Sequence, residues 1–146
     1  MDKLSKEQRR KNMQAVKNKD SKIELKFRKE LWKKGYRYRK NYIKLEGKPD
    51  IVLTKYKLAI FCDSEFWHGY NWKEKKKEIK SNKKFWIKKI ESNIARDKKV
   101  NEVLKSQGWN VLRFWGKDIE KNMVQCILKV EEEIEKHEHK YNNKRV

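Results

Sequence analysis

The sequence predicts an α/β fold, a mixed β-sheet flanked by helices, with its elements in the order α-β-β-β-α-β-α. Three features carry that prediction. The run Leu58-Ala59-Ile60-Phe61-Cys62 is unbroken in apolar residues, the pattern of a strand covered on both faces. A four-residue segment, 54–57, separates it from a shorter apolar run, which suits a hairpin. Helical spacing over residues 83–107 then leads to another strand-like run over 109–115, the kind of crossover that joins parallel neighbours.

The first helix is expected from residue 20 or 21 to residue 34. Ser21-Lys22-Ile23-Glu24 has the form of a capping box, Ile23, Phe27 and Leu31 share one face, and Gly35 supplies the stop. Strands are expected over 36–42, where aromatic and basic residues alternate, over 50–53 and over 58–63. Residues 64–82 read as a long loop, because seven of the eight residues from 73 to 80 are charged and no apolar face emerges. The second helix, 83–107, carries Phe85, Ile90, Ile94, Val100, Val103 and Leu104 at helical spacing and ends at Gly108. A strand over 109–115 and a final amphipathic helix over 118–135 complete the order.

Of 146 residues, 41 are Lys or Arg and 21 are Asp or Glu, a formal charge of +20 that points to a polyanionic partner. Six Trp, six Tyr and five Phe exclude a merely disordered basic tail. No apolar run approaches the roughly 18 residues of a membrane span, and the start lacks a signal peptide's apolar segment, so a soluble cytoplasmic protein is expected, without a membrane partner. Cys62 and Cys126 form no C-x-x-C pair and no disulfide is expected. With no repeat and no linker, residues 21–146 read as a single domain with a C-terminal helix and a short basic tail, preceded by a basic arm over 1–20.

Asp50 opens the second expected strand and Asp63 closes the third, so a hairpin brings both carboxylates to one edge. Two hard oxygen ligands suit Mg²⁺, whereas either Asp alone reads as a turn former. His68, beside such a pair, is a candidate general base, and a lone His elsewhere would read as structural. Phe66 and Trp67 either pack on the second helix or stack on and wedge between bases. Glu24 either completes the capping box or assists a metal-bound water. Trp86, Lys89, Asn93, Arg96 and Asp97 project largely to one side of the second helix. That face is either simply solvated or offers hydrogen-bonding groups to base edges and phosphates.

Read in order, Lys11-Asn12-Met13, Ile23-Glu24, Gly47-Lys48-Pro49-Asp50, Phe61-Cys62-Asp63, Phe66-Trp67-His68-Gly69, Phe85-Trp86, Asn93-Ile94-Ala95-Arg96-Asp97 and Gly108-Trp109-Asn110-Val111-Leu112 resemble the very-short-patch repair (Vsr) DNA mismatch endonuclease family. The resemblance runs from about residue 11 to residue 119. It implies a restriction-endonuclease-like fold of the PD-(D/E)xK superfamily and Mg²⁺-dependent nicking of one strand of double-stranded DNA, 5′ of the mispaired T in a T:G mismatch. It further implies Asp50 as principal metal ligand with the Cys62 carbonyl, His68 as the group that activates water, and Glu24 and Asp63 as secondary catalytic residues. Phe66 and Trp67 would wedge from one groove and Met13, on the arm with Lys11 and Asn12, from the other. Lys89 and Asn93 would read the mispaired bases, with Trp86 and Arg96 as further contacts. A monomer is implied, functionally linked to a cytosine-5 methyltransferase and downstream repair proteins.

The chain departs from the family pattern where cysteines of a structural zinc site are common. Glu65, Tyr70 and Gly116-Lys117 occupy those places, so structural zinc is not expected. Asp63-Ser64-Glu65 has Glu where the superfamily pattern has Lys, and Glu65 is a further candidate ligand. Two alternatives stay open: a related restriction or defence endonuclease of different specificity, and a non-catalytic basic DNA-binding module.

Overall fold

The computed structural model describes the backbone of residues 21–145 and the side chains of residues 21–140. The arm over 1–20, with its candidate contacts Lys11, Asn12 and Met13, lies outside the described residues.

Helix α1 (Lys22–Lys33) starts as the capping residue dictates. Ser21 is extended and its hydroxyl accepts the N–H of Glu24 at 3.3 Å. The helix ends in a Schellman motif: Gly35 N–H bonds the carbonyl of Trp32 and Tyr36 N–H that of Leu31. Helix α3 (Lys83–Ser106) ends the same way, with Gly108 N–H on Lys105 and Trp109 N–H on Leu104.

Four strands form one mixed sheet in spatial order: β1 (Arg39–Lys40), β2 (Ile51–Leu53), β3 (Leu58–Asp63) and β4 (Asn110–Trp115). β1, β2 and β3 are antiparallel neighbours; β4, reached through α3, runs parallel to β3 with Leu58 opposite Asn110 and Asp63 opposite Trp115. A 3₁₀ turn, Thr54–Tyr56, closes the β2–β3 hairpin, with Lys57 at φ 50°. This matches the expected mixed sheet between helices.

The pleat sorts side chains to opposite faces. Ile51, Leu53, Leu58, Ile60 and Phe114 point to one side, where Phe27 and Leu31 of α1 and Ile127, Val130 and Ile134 of the last helix cover them. Ala59 and Phe61 point to the other, against Val100 and Leu104 of α3. The same alternation sends Asp63 toward α3.

Three boundaries differ from expectation. The strand expected over 36–42 contains only two laddered residues, because Asn41 takes a left-handed φ of 48°; Asn41 and Tyr42 still donate to the carbonyls of Asp50 and Pro49. The loop expected over 64–82 contains helix α2 (Trp72–Glu78). It buries none of its residues, so its pattern carries no apolar stripe; Trp72 Nε1 and Lys76 Nζ tether it to Glu91 of α3 at 3.2 and 3.1 Å. The last helix is two: α4 (Gly116–Lys121) and α5 (Met123–Arg145), broken at Asn122, a residue type that favours helix junctions over interiors. No described helix is long and apolar enough to cross a membrane.

Ile60 lies at the centre of the sheet with no exposure. Ile60→Ala is expected to cost about 2–5 kcal/mol of unfolding free energy, measured by urea titration.

Candidate active site

β2 pairs with β3 only from Leu53 to Ile51, which stands opposite Ile60. Phe61, Cys62 and Asp63 therefore run past it, and the residue before β2 fills the edge they leave. Asp50 Oδ2 accepts the N–H of Cys62 at 2.7 Å, a charge-assisted bond in place of a missing ladder bond. In a strand the N–H and C=O of one residue point to the same edge, so the Cys62 carbonyl faces the same side. Glu24, buried in the first turn of α1, and Asp63, buried at the end of β3, line the same cleft of about 600 Å³, together with His68, Asn93 and Arg96.

Crowding of acids sets the electrostatics. Burial, with the charges of Glu24 and Asp63, pushes the Asp50 carboxyl up to about 7 despite the opposing bond from Cys62. Burial likewise raises Asp63 against the pull of His68 and Arg113. The Cys62 thiol is pushed well above its usual range, first by burial and then by Asp50, so sulfur stays protonated and its backbone oxygen is the available donor. An Asp oxygen, a carbonyl and a neighbouring Glu are hard donors, and a divalent cation would offset the repulsion among their charges. The residues present fit such an ion.

His68 enters this cleft on the segment between β3 and α2. Its N–H bonds the carbonyl of Ser64 at 3.2 Å, and Gly69 follows at φ +72°. A Cβ at Gly69 would stand 2.4 Å from Ile94 Cδ1, so only glycine lets this turn lie so close to α3. His68 Nδ1 is 2.6 Å from Asp97 Oδ2. An ionised carboxylate only accepts, so Nδ1 carries the hydrogen and the lone pair of neutral His68 is on Nε2.

Asp63, expected to assist the chemistry, is engaged by Arg113: NH1 lies 3.1 and 3.2 Å from its two oxygens. Among the described residues, Asp63, His68 and Asp97 form a group whose ligand atoms lie close enough to share a metal ion. Arg113 NH1, 3.6 Å from Asp97 as well, already supplies positive charge there, which favours the Asp50–Cys62 edge as the place for a cation.

The expected DNA-contacting side chains fall into two sets. Phe66 is 41% exposed and Trp67 only 8%, so of the two readings Trp67 takes the packed one: it lies edge-on against Phe66 and Trp86 at centroid distances of 5.3 and 5.8 Å. The second exposed ring of the cluster is Phe85, beside Trp86 at 5.0 Å. Asn93, expected at a base edge, is buried, with Nδ2 donating to the carbonyl of Trp67 at 3.0 Å. Lys89 is half-buried on α3 and Arg96 exposed at the cleft. Glu65, weighed as a ligand, accepts the N–H of Lys117 at 2.6 Å, and Tyr70 packs on Trp115 at 5.0 Å.

Residues 1–74 match the family model described as DNA mismatch endonuclease Vsr. The chain belongs to the Vsr family. It is 54% identical over 135 residues to the type II nicking enzyme V.HpaIIP of Haemophilus parainfluenzae, covering 92% of this chain and 96% of the relative. It is 52% identical over 134 residues to V.NmeDIP of Neisseria meningitidis serogroup C, covering 92% and 90%. DNA mismatch endonuclease Vsr of Escherichia coli K12 is 34% identical over 107 residues, covering 73% and 68%. The chain is therefore a DNA endonuclease, its substrate is DNA, and the family together with the acidic cleft points to use of a divalent metal ion.

Within this Vsr-family site, sequence reasoning missed the roles of Asp97 and Arg113. Asp97 stands four residues after Asn93 on the α3 face already singled out, so its register was a usable signal. Arg113, the one charged residue of strand β4 and on its α3-facing side, was another.

The raised Asp50 carboxyl has a sign that unfolding can test. A group whose folded pKa lies above its ordinary 3.8 stabilises the fold at low pH and ceases to do so as pH rises through about 7. In metal-free buffer, Asp50→Asn should gain about 2–3 kcal/mol more stability relative to the unaltered protein at pH 8 than at pH 5, measured by urea unfolding in EDTA.

Proposed function

We propose that the protein nicks one strand of duplex DNA on the 5′ side of the mispaired thymine in a T:G mismatch, with Mg²⁺ as its metal. The single observation that carries this is the convergence of Asp50, the Cys62 backbone, Glu24 and His68, the last held by Asp97, on one cleft, in a chain of the Vsr family. Relatives named nicking enzymes and a relative named a mismatch endonuclease support the finer reading.

Asp50 and the Cys62 carbonyl would hold the ion, with Glu24 and Asp63 adding charge around it. When bound, Mg²⁺ supplies positive charge that polarises the scissile phosphate. His68 Nε2 takes a proton from the attacking water. The water oxygen bonds to phosphorus, the bond from phosphorus to the 3′ oxygen breaks, and the electron pair leaves on that oxygen, which takes a proton from solvent. Asp97 stabilises the imidazolium formed at Nδ1. Exposed Phe66 enters beside the mismatch with Trp67 and Trp86 bracing it, and Lys11, Asn12 and Met13 of the arm approach from the other groove. A T:G wobble stacks less well than a matched pair, which lowers the few kcal/mol that unstacking costs. Asn93 acts here by holding the Trp67 backbone, while Lys89 and Arg96 reach bases and phosphate. The protein acts as a monomer in the cytoplasm, coupled in function to a cytosine-5 methyltransferase and to downstream repair proteins.

Purified protein with Mg²⁺ is expected to nick the T-bearing strand of a T:G duplex and leave the corresponding C:G duplex intact. Asp50→Ala should abolish cleavage while retaining or improving DNA binding, and His68→Ala should slow it roughly 10²- to 10⁴-fold. Equal cleavage of both duplexes, or double-strand cleavage of unmodified plasmid, would assign another specificity; binding without cleavage would leave a DNA-binding module.

A further inference from the structure

We infer that Arg113 is a positioning residue for the His68 base: it ties down Asp63 and so leaves Asp97 as the partner that fixes the imidazole. This rests on the role proposed for His68.

Two carboxylates compete for Nδ1 of that ring. Asp97 Oδ2 lies at 2.6 Å and Asp63 Oδ1 at 3.7 Å. Both are acceptors of the same chemistry, so position decides between them. Whichever wins also decides where Nε2 points, because the two ring nitrogens are fixed on one rigid plane.

Arg113 supplies the decision. NH1 contacts both Asp63 oxygens, and among the described residues Arg113 is the only Lys or Arg paired with either carboxylate. The guanidinium is itself anchored. Nε donates to Asn101 Oδ1 at 2.7 Å, the charged plane lies 4.0 Å from the centroid of the Phe61 ring, and the backbone is held in β4 opposite Phe61. A planar, permanently charged fork so held fixes its carboxylate partner in one orientation. Removing it leaves two unshielded carboxylates around one imidazole, each able to accept its proton.

The test reads His68 directly. Long-range ¹H–¹⁵N spectra of the ¹⁵N-labelled full chain, with the ring assigned through His68→Ala, are recorded without DNA at a pH where the imidazole is neutral. The unaltered protein should show one tautomer with hydrogen on Nδ1. Arg113→Met should keep the hydrogen on Nδ1 but shift and broaden the His68 ring signals, as the ring divides between Asp97 and Asp63, and Arg113→Lys should restore part of the single sharp form. On the T:G duplex, Arg113→Met should lower kcat roughly 10- to 100-fold with KM unchanged, and Arg113→Lys should recover part of it. If the amide spectrum shows that Arg113→Met does not fold, Asn101→Ala, which only loosens the guanidinium, should shift and broaden the His68 ring signals to a smaller extent. A folded Arg113→Met, or failing that a folded Asn101→Ala, with the His68 spectrum of the unaltered protein overturns the inference. Because the spectra need no DNA, absence of T:G nicking by the unaltered protein counts against the proposed function alone.

Discussion

β2 pairs with β3 only as far as Ile51 opposite Ile60, and the last residues of β3 run on with backbone groups that need other partners. Asp50, just before β2, fills that place with a side chain in lieu of a strand, its carboxylate on the Cys62 N–H. One carboxylate is thereby fixed in a partly desolvated edge toward which α1 brings Glu24 and the end of β3 brings Asp63. Burial first, and then the like charges of Glu24 and Asp63, raise Asp50 to about 7. Polar burial of this kind is destabilising in the empty protein and becomes favourable once a cation arrives.

The pleat gives the two halves of the chemistry separate supports. Cys62 presents its backbone to Asp50, while the neighbouring Asp63 turns its side chain toward α3 and meets His68 and Arg113. The edge proposed for the cation and the base proposed for the water therefore rest on one strand, with Asp63 adding charge to both. The close seat of Gly69 on Ile94 brings His68 to that strand. The +20 charge, by contrast, is a diffuse term. Neutralising phosphates holds DNA in a salt-dependent way blind to sequence, so under the proposed function selectivity falls to uncharged rings such as Phe66.

Much of this was legible in the residues. Strand β3 was readable because apolar residues on both of its faces leave no other assignment, and Asp50, Asp63 and His68 were placed together by a hairpin whose turn length was visible. α2 was not readable, because it buries nothing and its tether to Glu91 is tertiary. The break at Asn122 was hidden for a related reason: Ile119 and Ile127 both face the core, so apolar spacing alone runs straight through it. Whether Trp67 packs on the second helix or meets DNA was open in the sequence, as was the use of Asn93, and their burial follows from the approach of the 64–70 segment to α3, which no local pattern encodes. The Asp97 and Arg113 contacts arise from side chains distant in sequence that meet only when β4 lies beside β3.

The site proposed for the divalent ion lies where the β2–β3 ladder gives out. Crystals of the protein soaked in Mn²⁺, measured for anomalous scattering, address it directly. An ion between the Asp50 carboxylate and the Cys62 carbonyl, with Arg113 still on Asp63, is the expected result. An ion seated instead among Asp63, His68 and Asp97, with the Arg113 guanidinium displaced, would contradict the account.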